Sequence, residues 1–258
     1  MLSKPLNQKF IAALVFVAVI AVNAAANALP INGFTTGELS DLYFNLFTPA
    51  GFTFSIWGVI YLALLGYVLL IFRSNKFSST ELSFLWIVNG AANIAWILAW
   101  HYLKIASSML IMLILLLSLI WITDYLHKIK DPDGITRYVR ATFDLYFGWI
   151  TVATIANATA LLVATDFDRW GMSEAEWTST MVGVAAAVAV VVSLLRKSLW
   201  YPLPILWAFY GIYAKHQAAW GFQNAYPEIQ TTLQWAFGAL FTLIIVQQVI
   251  ALKKSKTV

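Results

Sequence analysis

The sequence contains no cysteine and few charged residues, and each shortage excludes a class of protein. Without cysteine the chain has no disulfide, no thiol nucleophile and no cysteine-ligated metal site. Charged residues make up 11% of its 258 residues, against about 25% in a typical soluble domain. Hydrophobic residues make up 61%. This is the composition of an integral membrane protein, and the net charge of +4 then concerns membrane topology and not nucleic-acid binding.

Motifs for catalysis and metal binding are also missing. The three histidines, His101, His127 and His216, are scattered without the paired spacing of a metal site. No phosphate-binding glycine loop and no nucleophile elbow occurs, and no apolar run carries a carboxylate or a row of cations at its centre. We therefore expect no catalytic residue, no metal and no required cofactor, and we expect that the protein is not an enzyme.

Eight apolar runs approach the length of about 20 residues that a membrane-spanning helix needs. The predicted spans are 10–28, 53–72, 83–103, 105–125, 143–164, 178–195, 199–218 and 231–252. If both ends are cytoplasmic, the basic residues from Lys4 to Lys256 lie on the inner side, with Lys104, Arg169 and Lys215 as the exceptions. This agreement with the positive-inside rule predicts an all-α protein of the cell membrane with about eight transmembrane helices.

The first predicted span has a second interpretation. The stretch "KPLNQKFIAALVFVAVIAVNAAANA" has a basic start, an apolar middle and an alanine-rich end, which also suits a cleavable signal peptide. Asn23 and Asn27, however, lie four residues apart on one helical face, and a discarded segment has no need of them. A retained helix is the favoured interpretation.

Polar and aromatic side chains form stripes along three of the predicted spans. An amide in hydrocarbon is costly unless it is hydrogen-bonded, so these stripes should face other helices or a cavity. Single asparagines most often join helices, and tryptophans near span ends most often lie at the membrane interface. Stripes on three helices together favour a shared, mostly apolar cavity with a few polar anchors. They comprise Phe54, Trp57 and Tyr61 on the second span, Asn89, Asn93, Trp96 and Trp100 on the third, and Trp149, Ala153 and Asn157 on the fifth.

The first five predicted spans resemble the tryptophan-rich sensory protein / translocator protein family, which has a five-helix membrane fold. The matching motifs are "PAGFTFSIWGVIYLALLG" on the second span, "NIAW" on the third and "WITVATIAN" on the fifth. Phe52 stands where the family has its first tryptophan, and "DLYFGW" replaces a Pro-Tyr pair before the fifth helix. The resemblance covers residues 1–165 as a ligand-binding bundle, and residues 166–258 would be three additional spans of unknown role.

The resemblance implies a membrane sensor or transport-type protein that binds a flat hydrophobic ligand, either a tetrapyrrole such as a porphyrin or a sterol-like molecule. The pocket would lie among the helices, with the loop 29–51 as its lid. The expected partners are this small molecule and membrane lipids but no nucleic acid, and the extra spans could mediate a homodimer. The ligand-binding residues that the matching motifs imply are Phe54, Trp57, Tyr61, Asn93, Trp96, Trp149, Ala153 and Asn157, and the stripe on the third span adds Asn89.

Two other functions remain open at this point. A secondary transporter of a small solute would account for more spans than a simple receptor requires, although such transporters usually contain interrupted helices. A membrane enzyme that degrades a bound pigment is the second alternative, but no embedded acid–base pair supports it.

Overall fold

The computed structural model describes residues 4–29, 31–74, 76–77 and 79–255. Over these residues the chain forms nine α-helices and three short 3-10 helices, without any strand. Pro30 of the predicted lid and Lys256 of the topology argument lie outside the described residues. The α-helices are α1 (Lys4–Ala28), α2 (Thr36–Leu42), α3 (Ile56–Arg73), α4 (Thr80–His101), α5 (Ile105–His127), α6 (Gly134–Ala164), α7 (Glu174–Arg196), α8 (Pro202–Gln217) and α9 (Pro227–Ser255).

Seven helices in the described part of the chain are long and apolar enough to cross a membrane: α1, α3 with the 3-10 turn before it, α4, α5, α6, α7 and α9. They confirm the predicted all-helical integral membrane fold. The predicted seventh span, 199–218, differs, because α8 has only 16 residues. At 1.5 Å per residue this helix is about 24 Å long, shorter than the roughly 30 Å of a bilayer core.

Helix α8 nevertheless runs from one end of the bundle to the other. We call the end that carries residues 31–50 the first-loop face, and the end where α1 begins the opposite face. Just before α8, Ser198 donates a hydrogen bond of 2.7 Å to Asp144, which lies in the half of α6 nearer the opposite face. In the last turn of α8, Lys215 pairs with Asp41 of the first loop at 2.7 Å. The segment between α7 and α9 therefore crosses the bundle.

The packing of α7 and α9 also requires that the segment between them crosses the bundle. Gln247, late in α9, donates to the carbonyl of Ser193, late in α7, at 3.0 Å. Early in α9, Gln234 donates to the hydroxyl of Tyr213 near the end of α8. The two long helices are thus parallel, so the chain must return to the first-loop face between them.

Two glycines let α8 lie close to the helices that precede it. A Cβ on Gly148 of α6 would lie 2.0 Å from the carbonyl oxygen of Tyr201, and one on Gly211 of α8 would lie 1.9 Å from the hydroxyl of Thr53. Neither position can hold a side chain without a shift of its neighbour. Close backbone approach at small residues is the usual way that membrane helices gain packing contacts.

Candidate ligand-binding site

A cavity lies beneath the first loop, between α3, α4, α6 and α8. It contains about 700 Å³ of empty space, counting the space at its open mouth, and it is narrow with an almost entirely apolar wall. We call it the lid cavity. Its wall consists of Thr36, Ser40, Asn45, Phe47, Thr48 and Pro49 from the first loop, Phe54, Trp57, Trp96, Trp100, Trp149, Val152, Ala153, Ala156, Asn157 and Ala160 from the predicted bundle, and Ala208 and Ile212 from α8.

The structure brings most of the predicted ligand-binding residues to this wall. Those that line the lid cavity are Phe54, Trp57, Trp96, Trp149, Ala153 and Asn157. The last three lie four residues apart along α6, and this spacing keeps them on one helical face. Residues from the loop 29–51 also line the cavity, and the function of this loop as a lid stays a prediction.

The aromatic rings of the wall contact one another in edge-to-face and stacked pairs. Trp149 makes T-shaped contacts with Trp57 at 6.2 Å and with Phe54 at 6.3 Å between ring centroids. On the other side of the cavity, Trp96 stacks on Trp100 at 6.0 Å with an interplanar angle of 19°. These geometries are favourable for aromatic pairs, and they hold the rings in place around the space.

Asn89 and Asn93 are not part of the cavity wall. Asn89 donates to the hydroxyl of Ser118 on α5 at 2.9 Å. Asn93 accepts from Asn23 on α1 at 2.7 Å and donates to the hydroxyl of Tyr146 on α6 at 3.0 Å. Both amides are fully buried. They join helices at a depth where the bundle is closed, which is the alternative that the sequence left open for single asparagines.

Tyr61 lines a different space, which we call the side cleft. This cleft, of about 880 Å³ including open space, lies between α1, α2 and α3 and also contains Asn23 and Asn27. Phe54 and Trp57 line both spaces, so their rings separate the side cleft from the lid cavity. Tyr61 stacks on Trp57 at 5.3 Å.

Two indole N–H groups of the lid cavity are buried without a hydrogen-bond partner in the described part of the chain. They belong to Trp96 and Trp149, whose residues are 7% and 3% exposed. A buried donor that is left unpaired costs about 1–3 kcal/mol, and such groups in native proteins need an explanation. Asn157, in contrast, donates to Ser108 of α5 at 3.1 Å.

The beginning of the lid is bound to the end of α4. His101 contacts the carbonyl of Ile31 at 3.0 Å and the hydroxyl of Thr36 at 3.1 Å through its two ring nitrogens. A capping box between Thr35 and Glu38 starts α2. The backbone N–H of Thr35, and then its side chain, stabilise the carboxylate and lower the pKa of Glu38.

The end of the lid is bound to α8. The N–H of Ala50 donates to the carbonyl of Gly211 at 3.0 Å, and His216 Nε2 contacts the carbonyl of Leu46 at 3.0 Å. The indole of Trp207 donates to the carbonyl of Thr53 at 2.8 Å. The sequence reasoning missed this contribution of α8 to the site, although the aromatic run "LWYPLPILWAFYGIYAKH" is the signal that could have indicated it.

Comparison with known proteins gives one family. The family described as TSPO-like protein matches residues 9–249. No curated protein and no solved structure matches the chain. The matched range extends past residue 165 through α7 and α8 and into α9, and the division into domains at that residue stays a prediction.

Proposed function

Because the chain belongs to the TSPO-like protein family, membrane proteins of the sensor or transport type, we propose that it binds a flat hydrophobic ligand in the lid cavity. The ligand class is tetrapyrrole or sterol-like. The observation that carries this proposal is the cavity itself, whose wall contains aromatic rings from three helices and two indole donors without a partner among the described residues. We also propose that the protein resides in the cell membrane with both ends in the cytoplasm.

The aromatic lining of the lid cavity supports a flat ligand. The rings of Trp57, Trp96 and Trp149 are part of its wall. Aromatic faces offer large contact areas with few rotatable bonds, so a planar molecule between them loses little side-chain entropy on binding. Small residues on one side, Ala153 and Ala208 among them, leave room for the edge of such a molecule.

The polar atoms of the cavity support a ligand that carries a hydrogen-bond acceptor. The indole donors of Trp96 and Trp149 would each gain a partner if a ligand oxygen came within reach. No cation is among the described residues that line the cavity, and burying an unpaired carboxylate there would be costly. We therefore expect a hydroxyl, carbonyl or ring nitrogen to lie inside, and any acidic group to lie at the mouth near Ser40 and Asn45.

Fluorescence titration of the detergent-purified protein tests this proposal, with protoporphyrin and a fluorescent sterol as the probes. We expect saturable binding of at least one probe by the wild-type protein. Replacing Trp149 by phenylalanine keeps a ring in place but removes the N–H, and a lost hydrogen bond should weaken binding about three- to tenfold.

The matched control is Trp235→Phe, because Trp235 is 77% exposed on the surface of α9 and should not affect binding. If neither probe binds saturably, or if Trp149→Phe and Trp96→Phe both bind as the wild type does, the proposed site is wrong.

A further inference from the structure

A second, strongly charged space opens at the opposite face of the bundle. It lies where α5 and α7 end and where α6 and α8 begin, and it contains about 1280 Å³ including open space. We call it the basic crevice. The carboxylates among its described lining residues are Asp124 and Asp144, so three positive charges are unmatched even when His127 is neutral. The basic residues that line it are Lys128, Arg137, Arg140, Arg196 and Lys197.

Both carboxylates of the basic crevice already have partners. Asp124 pairs with Lys128 at 2.6 Å and with Arg196 at 3.0 Å. The buried Asp144 contacts His127 at 3.0 Å and accepts from Ser198 at 2.7 Å. Neither acid is therefore available to neutralise the remaining cations.

Arg140 also has partners already, because it donates hydrogen bonds to three carbonyl oxygens at and just after the end of α5. Two cations remain available. Arg137 uses only its Nε, which donates to the carbonyl of Pro132 at 3.1 Å. Lys197 makes no hydrogen bond or ion pair with the part of the chain that the structure describes.

The local backbone holds Lys197 at the crevice wall. Lys197 ends α7 in the left-handed conformation, with φ of 50°. The next residue, Ser198, accepts hydrogen bonds from the N–H groups of Trp200 and Tyr201 while it donates to Asp144. The turn is thus fixed to a buried carboxylate, so the backbone that carries the Lys197 side chain is held at the crevice before any ligand arrives.

The rim of the basic crevice is apolar. Leu195 is 77% exposed and Trp200 is 48% exposed, and both line the crevice at helix ends. Tryptophan at a helix end is typical of the level of the lipid headgroups. The cations thus have beside them an exposed tryptophan, as expected at headgroup level, and an apolar surface suited to acyl chains.

We propose that the basic crevice binds the phosphate headgroup of an anionic phospholipid. Arg137 offers two terminal nitrogens for a bidentate contact with the phosphate, and Lys197 adds a point charge. Basic pockets between transmembrane helices on the cytoplasmic side are known lipid-headgroup sites. This proposal does not depend on the ligand of the lid cavity, which is at the other end of the bundle.

Native mass spectrometry of the purified protein in neutral detergent tests the proposal, with phosphatidylglycerol, phosphatidylcholine and inorganic phosphate as probes. We expect phosphatidylglycerol to bind in preference to phosphatidylcholine. Arg137→Gln and Lys197→Gln should each weaken its binding about fivefold, the effect of one cation near a lipid surface. The control is Lys104→Gln, since Lys104 is exposed at the first-loop face and should leave the affinity unchanged.

Three results would overturn the proposal. Equal binding of phosphatidylcholine and phosphatidylglycerol would mean that charge does not select the lipid. Unchanged affinity in the Arg137→Gln, Lys197→Gln double variant would place the bound lipid elsewhere. Full competition by millimolar inorganic phosphate would indicate a site for free phosphate and not for a lipid. Both substituted residues are exposed, so unfolding temperatures equal to the wild type should accompany the loss of binding.

Discussion

Replacing Gly148 by alanine tests how α8 is held against α6 and whether that contact shapes the lid cavity. The new Cβ would lie 2.0 Å from the carbonyl oxygen of Tyr201, 3.1 Å from its carbonyl carbon and 3.3 Å from Cδ of Pro204. A normal contact requires more than 3.4 Å. Because the nearest atoms belong to the backbone and to a proline ring, no side-chain rotation can relieve the clash, and the start of α8 must move by more than an ångström.

We expect Gly148→Ala to lower the free energy of unfolding. Overpacking in a close-packed interior costs about 1–3 kcal/mol, while the better helix propensity of alanine returns about 1 kcal/mol. The net loss should therefore be about 0–2 kcal/mol. Displacement of α8 would also move Ala208 and Ile212 of the cavity wall and loosen the hold of Gly211 on the lid, so ligand binding should weaken as well.

Thermal unfolding and the porphyrin titration measure these two effects. Gly183→Ala is the matched control, because a Cβ at that position on α7 meets no atom within 4 Å. The control should be as stable as the wild type or more stable, since only the helix propensity changes. If Gly148→Ala matched Gly183→Ala in stability and in affinity, the close contact between α6 and α8 would not control the cavity.

Three further predictions follow from the buried polar groups and from the lid. Asn93→Ala removes the donor to the Tyr146 hydroxyl and one of the two acceptors of the Asn23 amide, which keeps the carbonyl of Val19, so it should lower the unfolding free energy by about 1–3 kcal/mol, measured by thermal unfolding. Trp149→Phe removes no hydrogen bond with the described part of the chain, but it truncates a buried ring, so it should lower the unfolding free energy by about 1–3 kcal/mol and also weaken ligand binding. A stability loss beyond this range would indicate that the indole N–H has a structural partner. The capping contacts lower the pKa of Glu38 in the folded protein below its unfolded value of 4.5. The ionised carboxylate therefore stabilises the start of α2 fully above pH 4.5. This stabilisation is lost as the pH falls through the lower pKa of the folded state. Proteolysis of the first loop should therefore accelerate upon acidification in that window, and Glu38→Gln should show the faster rate at neutral pH.

The helical spans were predictable because hydrophobic length is a local property of the chain. An apolar run of about 20 residues must form its backbone hydrogen bonds internally in a bilayer, whatever surrounds it, so α1, α3 to α7 and α9 appear where the apolar runs are. The stripe of Trp149, Ala153 and Asn157 was predictable for the same reason, since the spacing of four residues follows from the helical repeat alone.

What each stripe faces was decided by the tertiary structure. On α4, Asn93 and Trp96 are three residues apart, yet the amide bonds to α1 and α6 while the indole reaches the lid cavity. Whether a side chain meets a partner or a cavity depends on where the neighbouring helices diverge. The positions of the helices depend in turn on close contacts between residues far apart in the chain, such as that of Gly148 with Tyr201. The hold of α8 on the lid has the same origin. Local periodicity determines which side chains share a face, but only the packing of the other helices determines whether that face meets a partner or an open space.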